Sequence, residues 1–149
     1  MTPIYKRLEQ AFTEALKNQQ ALALSTLRML KSAIHYREVE TKRRLTEEEL
    51  KATIAAQVKQ RREAIGEYLK AGRPELAKKE EEELSILLSF LPPQLSPQEC
   101  EAEVSQIIEE LGASGLKDLG RVMKTAMTRL AGQADGKVVQ EIARRRLSS

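Results

Sequence analysis

The sequence contains no tryptophan, and aromatic residues make up only 3% of its 149 positions, as two phenylalanines and three tyrosines. A surface that reads single-stranded bases by stacking needs exposed rings, and there are too few here to spare. A β-sandwich needs many aromatic and β-branched residues with a turn every ten or so positions, and this chain lacks both. The single cysteine, Cys100, excludes an intrachain disulfide and fits a reducing compartment. No apolar run approaches the roughly 18 residues of a membrane span, and the N-terminus lacks the apolar core of a signal peptide. A soluble, cytoplasmic protein with no membrane partner is expected.

Charge of one sign is not in large excess either. Twenty-five Lys and Arg stand against 22 Asp and Glu, a net +3, far from the dense positive charge of a nucleic-acid coat protein. Residues 1–91 hold 17 basic against 14 acidic side chains, and residues 92–149 hold 8 against 8. What the chain has in abundance is Ala, Glu, Lys, Leu and Arg, a helix-forming composition.

Helical periodicity runs almost throughout. Thr2 and Pro3 read as an N-cap and first-turn proline, followed by Ile4, Leu8, Phe12 and Leu16, which predict a helix over about 3–18. Leu24, Leu27, Leu30 (or Met29) and Ile34 predict a second over about 20–43. Thr46-Glu47-Glu48-Glu49 has the pattern of a capping box. Leu50, Ile54, Val58, Ile65 and Leu69 then give a third helix to Ala71, with Gly72 as its C-cap. Pro74 opens a fourth, carrying Leu76, Leu84, Leu87, Leu88 and Leu91. Pro92-Pro93 breaks the pattern, and Pro92 to Leu95 reads as a domain boundary. Beyond it, Ser96-Pro97-Gln98-Glu99 is a second capping box, ahead of a short helix with Val104, Ile107, Ile108 and Leu111 that Gly112 stops. Another short helix carries Leu116, Leu119, Val122, Met123, Ala126, Met127 and Leu130. Asp135 caps the last, with Val138, Val139, Ile142 and Leu147 on one face. The fold class expected is all-α: an N-terminal four-helix antiparallel domain over 1–91, then a C-terminal three-helix bundle over 92–149.

Few residues suggest chemistry. His35 and Cys100 are solitary and have no neighbouring ligand spacing, so neither a Cys–His dyad nor a zinc site is indicated, and no metal or cofactor is expected. The carboxylates lie in helix-surface runs that single out no general acid or base, so no catalytic residue is assigned. Helices three and four are joined by a turn so short that they fold back on each other. Counting outward from Arg73 sets position 62 opposite 84 and 65 opposite 81, so the acidic run Glu80 to Glu83 lies at the height of Arg61 and Arg62. One reading has the arginines pairing with those carboxylates inside the hairpin; the other makes Lys59, Arg61 and Arg62 an RNA-facing patch.

In the C-terminal half, Gly132-Gln133-Ala134-Asp135-Gly136-Lys137 departs from a phosphate loop in spacing and in following a helix. Its structural reading is that Asp135 caps the helix and Gly136 lets the chain approach a neighbour; its functional reading is that Lys137 and free amides seat an RNA phosphate. Arg144, Arg145 and Arg146 end the last helix, either complementing its dipole or contacting phosphates, with Arg121 and Lys124 extending that surface. Gly120, inside a helix, reads as a site of close helix packing.

These features come together in one resemblance. Lys59-Gln60-Arg61-Arg62, Tyr68 through Arg73, Glu75 through Glu80, Phe90-Leu91-Pro92-Pro93-Gln94-Leu95, Asp118 through Lys124 and Ala134 through Val139 closely resemble the YqeY family. That family is similar to the C-terminal helical and tail region of the GatB subunit of glutamine-dependent aspartyl/glutamyl-tRNA amidotransferase. The resemblance covers essentially the whole chain. It implies an all-helical protein with an N-terminal helical domain and a C-terminal three-helix tail domain, the counterpart of which helps hold tRNA in the amidotransferase. The two functions expected are a module that contacts tRNA through its backbone phosphates and, as the alternative, one that docks on an amidotransferase subunit or another protein. It also implies an inherited label of carbon–nitrogen ligase with glutamine as amide donor, although the ATP-using, metal-bearing part of GatB has no counterpart here. Thr128, Gln133 and Gln140 depart from the residues relatives often carry, and Gln133 removes a positive charge beside Asp135-Gly136-Lys137.

Overall fold

The computed structural model describes residues 2–148. All regular structure among them is helical: α1 (Pro3–Lys17), α2 (Ala21–Thr41), α3 (Glu47–Lys70), α4 (Pro74–Leu88), α5 (Pro97–Leu111), a 3-10 turn (Leu116–Asp118), α6 (Leu119–Arg129) and α7 (Gly136–Leu147). The chain divides between Pro92 and Pro93 into two compact units.

The first unit contains α1 to α4, with α3 and α4 making its most extensive helix–helix contact. Its core is Ile4 and Leu8 of α1, Leu27, Leu30 and Ile34 of α2, Leu50, Ile54 and Val58 of α3, and Leu87, Phe90 and Leu91 at the end of α4. The sequence rules for caps hold locally. Thr2 accepts from the Tyr5 amide, and Thr46 and Glu49 form a reciprocal capping box. Leu45 before that cap and Leu50 after it are both buried, the two ends of a hydrophobic staple that fixes the chain's entry into α3. At the other end of α3 the Arg73 amide reaches the Tyr68 carbonyl and the Gly72 amide the Leu69 carbonyl, with Gly72 at φ +71°. This left-handed stop is why glycine stands there. The carbonyls just past the end of α4 are met from α1, where the two Arg7 Nη atoms donate to Ser89 O at 3.2 Å and Phe90 O at 2.9 Å.

Three expected core positions of this unit are not core. Leu16 is 49% exposed, Leu69 56% and Leu76 37%. A strict spacing of four drifts on a 3.6-residue helix, so Leu16 lies about 120° around from Ile4, whereas Ala15 lies within about 20° of it. Ala15 is the residue buried. The second helix ends at Thr41 because Lys42 adopts a left-handed φ of 59°.

The second unit packs α5, α6 and α7 around Cys100, Val104, Ile107, Val122, Ala126, Leu130, Val139, Ile142, Ala143 and Leu147. Ser96 and Glu99 form its capping box. Leu95 and Cys100 occupy the staple positions either side of it, which gives the cysteine a packing role. Burial pushes its thiol pKa up. No aromatic residue occurs after Phe90, so this core is wholly aliphatic apart from the thiol. Leu116, Met127 and Val138, expected on buried faces, are exposed instead. Leu116 belongs to the 3-10 turn that precedes α6, outside the helix proper.

Candidate functional site

Charge in the second unit is sorted by helix. Helix α5 carries Glu99, Glu101, Glu103, Glu109 and Glu110 and no basic residue; α6 carries Arg121, Lys124 and Arg129 and no acidic one; α7 carries Lys137 and Arg144 to Arg146 against Glu141 alone. The balanced sum over residues 92–149 conceals this separation.

Part of the basic charge is committed to the acidic helix. Arg129 pairs with Glu110, whose carboxyl it holds below the ordinary carboxylate range. Arg145 and Arg146 both pair with Glu101, Arg146 at 2.8 Å. The expectation that the arginine run is either a dipole complement or a phosphate-binding tail is thereby refined, because two of the three arginines tie α7 to α5. Exposed pairs of this kind contribute roughly 0–1 kcal/mol each and set register more than stability.

The remaining cations lie elsewhere. Lys117, Arg121 and Lys124 are exposed and follow one another at helical spacing along the 3-10 turn and α6. Arg121 stands 3.6 Å from Asp118, whose Oδ2 already accepts the Ser114 amide at 2.8 Å. Gly120 lies among these cations, and a Cβ built there would meet nothing within 4 Å. The expectation of close helix packing at Gly120 is therefore corrected: the residue faces open space. At Gly136 the opposite holds, since a Cβ would come within 3.3 Å of Met127 Cε.

Asp135 caps α7 by accepting the Lys137 amide at 2.9 Å. Its carboxylate thus takes the place at the helix N-terminus where an incoming phosphate would bind, and it opposes a second anion there. The Lys137 and Arg144 side chains are exposed.

In the first unit the expected hairpin register is present. Arg61 is only 7% exposed, and its Nε lies 2.9 Å from Glu83 Oε2 and 3.3 Å from Glu80 Oε2. Buried in this way, Arg61 cannot belong to an RNA-facing patch, whereas Arg62 is exposed. Among the described residues no three His, Cys, Asp or Glu side chains are grouped to hold a metal ion, and no helix is long and apolar enough to cross a membrane.

A family model described as YqeY-like protein matches residues 5–147. The chain belongs to the YqeY-like family. Its relatives include fungal proteins. It is 30% identical over 119 residues to Altered inheritance of mitochondria protein 41, mitochondrial, of Vanderwaltozyma polyspora, covering 75% of this chain and 64% of the relative. It is 31% identical over 85 residues to an uncharacterized protein of Schizosaccharomyces pombe, covering 57% and 69%. The protein 41 of Lachancea thermotolerans is 31% identical over 110 residues, covering 72% and 59%. The YqeY-like chain thus spans less than two thirds of either mitochondrial relative's length. The charge-sorted bundle and the Arg61 cluster both lie within the stretch that defines the family.

Proposed function

We propose that the chain is a non-catalytic helical module that holds tRNA by its backbone phosphates, with the outer face of α6 as the principal contact. The observation that carries this reading is the exposed row of Lys117 in the 3-10 turn and Arg121 and Lys124 on α6, interrupted by one acidic residue, Asp118, and set around a glycine that packs against nothing. A bare glycine flanked by cations lets a phosphate backbone come close to the helix surface. The absence of aromatic residues from this unit restricts any RNA contact to phosphate and shape, because no ring is available to stack on a base. Lys137 and Arg144, exposed on α7, are the further cations of this reading, and the resemblance to the tRNA-holding tail of GatB supports tRNA as the RNA. The compartment we propose is the cytoplasm; for the two relatives whose names place them there, it is the mitochondrion.

The test is a titration of the full chain into tRNA over a range of salt. Three phosphate contacts give a log–log slope of about −2 to −3, and replacing Lys117 and Lys124 by Ala reduces its size by about 1.5 to 2. Affinity no higher than for polyglutamate, a polyanion without RNA's shape, would sink the proposal, as would an unchanged slope in the double variant.

A second reading, a module docking on an amidotransferase subunit or another enzyme, is favoured by α2. There Tyr36 is 70% exposed and Val39 62%, beside a shallow hollow of about 420 Å³ that Lys31, Ser32 and His35 also line. Exposed apolar side chains clustered on one helix face suit a protein partner better than a polyanion. On this reading, Tyr36→Ser with Val39→Ser abolishes protein association and leaves the tRNA titration unchanged.

A further inference from the structure

The pairing of Arg61 with Glu80 and Glu83 accounts for the register of α3 against α4, but not for the composition of the cluster. One arginine faces two carboxylates. Both Oε2 atoms converge on the same Nε, a nitrogen with a single hydrogen to donate. Arg61 Nε and Glu80 Oε2 are both buried and form no hydrogen bond of acceptable geometry. The Arg61 side chain is 9% exposed, that of Glu83 8% and that of Glu80 19%. From α2 the neighbour is the Met29 sulfur, 3.4 Å from Arg61 Nη2, a weak acceptor that brings no charge. With both glutamates ionised the cluster carries a net −1 in a poorly solvated place. With one proton bound it is neutral.

We propose that Glu80 and Glu83 share a single proton over Arg61, making the α3–α4 hairpin a proton-dependent lock that is tight when the proton is bound and looser when it is lost. Protonation converts the stranded Glu80 Oε2 from an unmatched acceptor into a donor, with the Glu83 carboxylate as its acceptor. The proton comes from water and returns to it, and no other bond is made or broken. Two carboxylates that cannot both ionise cheaply are driven to this arrangement by like charge and desolvation.

The ionisable groups acting on Glu80 are Glu83, Arg61 and Lys79. Burial is the largest influence and raises its pKa; the Glu83 charge raises it further, while Arg61 and Lys79 lower it, and the net direction is upward. A carboxyl whose pKa is raised by folding stabilises the fold fully below its ordinary value of 4.5. That contribution is lost as pH rises through the elevated value. Mild acidification from the alkaline side therefore tightens the hairpin.

The experiment is urea unfolding of the full chain followed by circular dichroism between about pH 8 and pH 5.5. It is performed with His35→Gln as the background so that the sole histidine contributes nothing. The unfolding midpoint is expected to rise as pH falls. In Glu80→Gln the midpoint becomes flat over this window, in Glu83→Gln its rise is reduced, and in both it equals or exceeds that of the background protein at the alkaline end. Carboxyl-carbon NMR of the unsubstituted chain serves as a second readout and needs no variant to fold. Glu80 is expected to titrate above the ordinary carboxylate value. A flat midpoint in the background protein overturns the proposal, and so does Glu80 titrating at its ordinary value. A pH dependence undiminished by Glu83→Gln overturns the sharing, because burial of Glu80 alone would then be the cause.

Discussion

At position 120 a helix carries glycine where a Cβ would touch nothing within 4 Å. Helix propensity alone therefore favours replacing it, and Gly120→Ala is expected to stabilise the chain by about 0.5 kcal/mol. The gain is read as a rise in the urea midpoint. The same substitution raises a methyl group on the surface assigned to phosphate, so tRNA affinity is expected to fall while stability rises. If both rise together, Gly120 is not part of the contact. The sequence marks this glycine as unusual, since it sits mid-pattern between cations, but it does not show whether the missing side chain makes room for another helix or for solvent. That depends on which face of α6 turns toward α5 and α7. Arg61 was more legible: in a two-helix hairpin with a short turn, counting outward from Arg73 sets 62 against 84 and 65 against 81, which brings the acidic run to the height of Arg61, and Glu80 and Glu83 are the partners found.

At the scale of helices, the starts are written locally and the sides are not. Thr2, Thr46, Ser96 and Asp135 all cap where the sequence places them, because a hydroxyl or carboxylate three residues or fewer from an orphan amide needs no tertiary help. Thr46→Ala and Ser96→Ala are each expected to lower stability by about 1 kcal/mol, measured by urea unfolding. Substituting either at no cost would show that the opposing staple, Leu45 with Leu50 or Leu95 with Cys100, suffices to fix the helix start. The end of α2 was less legible, since Lys42 takes the left-handed conformation usually signalled by glycine. The burial of Ala15 in place of Leu16 follows from the helical repeat, which a spacing of four only approximates. The clamp of Arg145 and Arg146 on Glu101 joins residues 44 and 45 positions apart and left no local signal; only the all-acidic character of α5 hinted that α7 would lean on it.

For the molecule as a whole, the carboxyls that folding perturbs act on pH dependence in two opposite senses. Arg43 and the Thr46 amide hold the Glu49 carboxyl down to about 2, and Glu99 and Glu110 are lowered as well, by the Ser96 amide and Arg129. A carboxyl lowered by folding contributes stability above its ordinary value of 4.5, and that stability is lost as pH falls toward the depressed value. Glu80 acts in the reverse sense above 4.5. The expected profile of urea midpoint against pH is therefore a maximum on the mildly acidic side of neutrality, with a steep loss below about pH 4.5. Removing Glu49 by Glu49→Gln flattens the acid limb and leaves the other limb in place. An acid limb unchanged in that variant would count against the assignment.

The placement of the aromatic rings and of the thiol has a further consequence for anyone observing this molecule by light or by chemistry. Tyr5, Tyr36 and Tyr68 all lie before Pro92, and Cys100 alone lies after it, in the wholly non-aromatic core. Without tryptophan to mask it, intrinsic tyrosine emission reports on the first unit alone. Reaction of the buried thiol with a disulfide reagent reports on the second. One unlabelled sample thus carries two separate clocks, and recording both during a single unfolding experiment times the opening of each unit without introducing a probe.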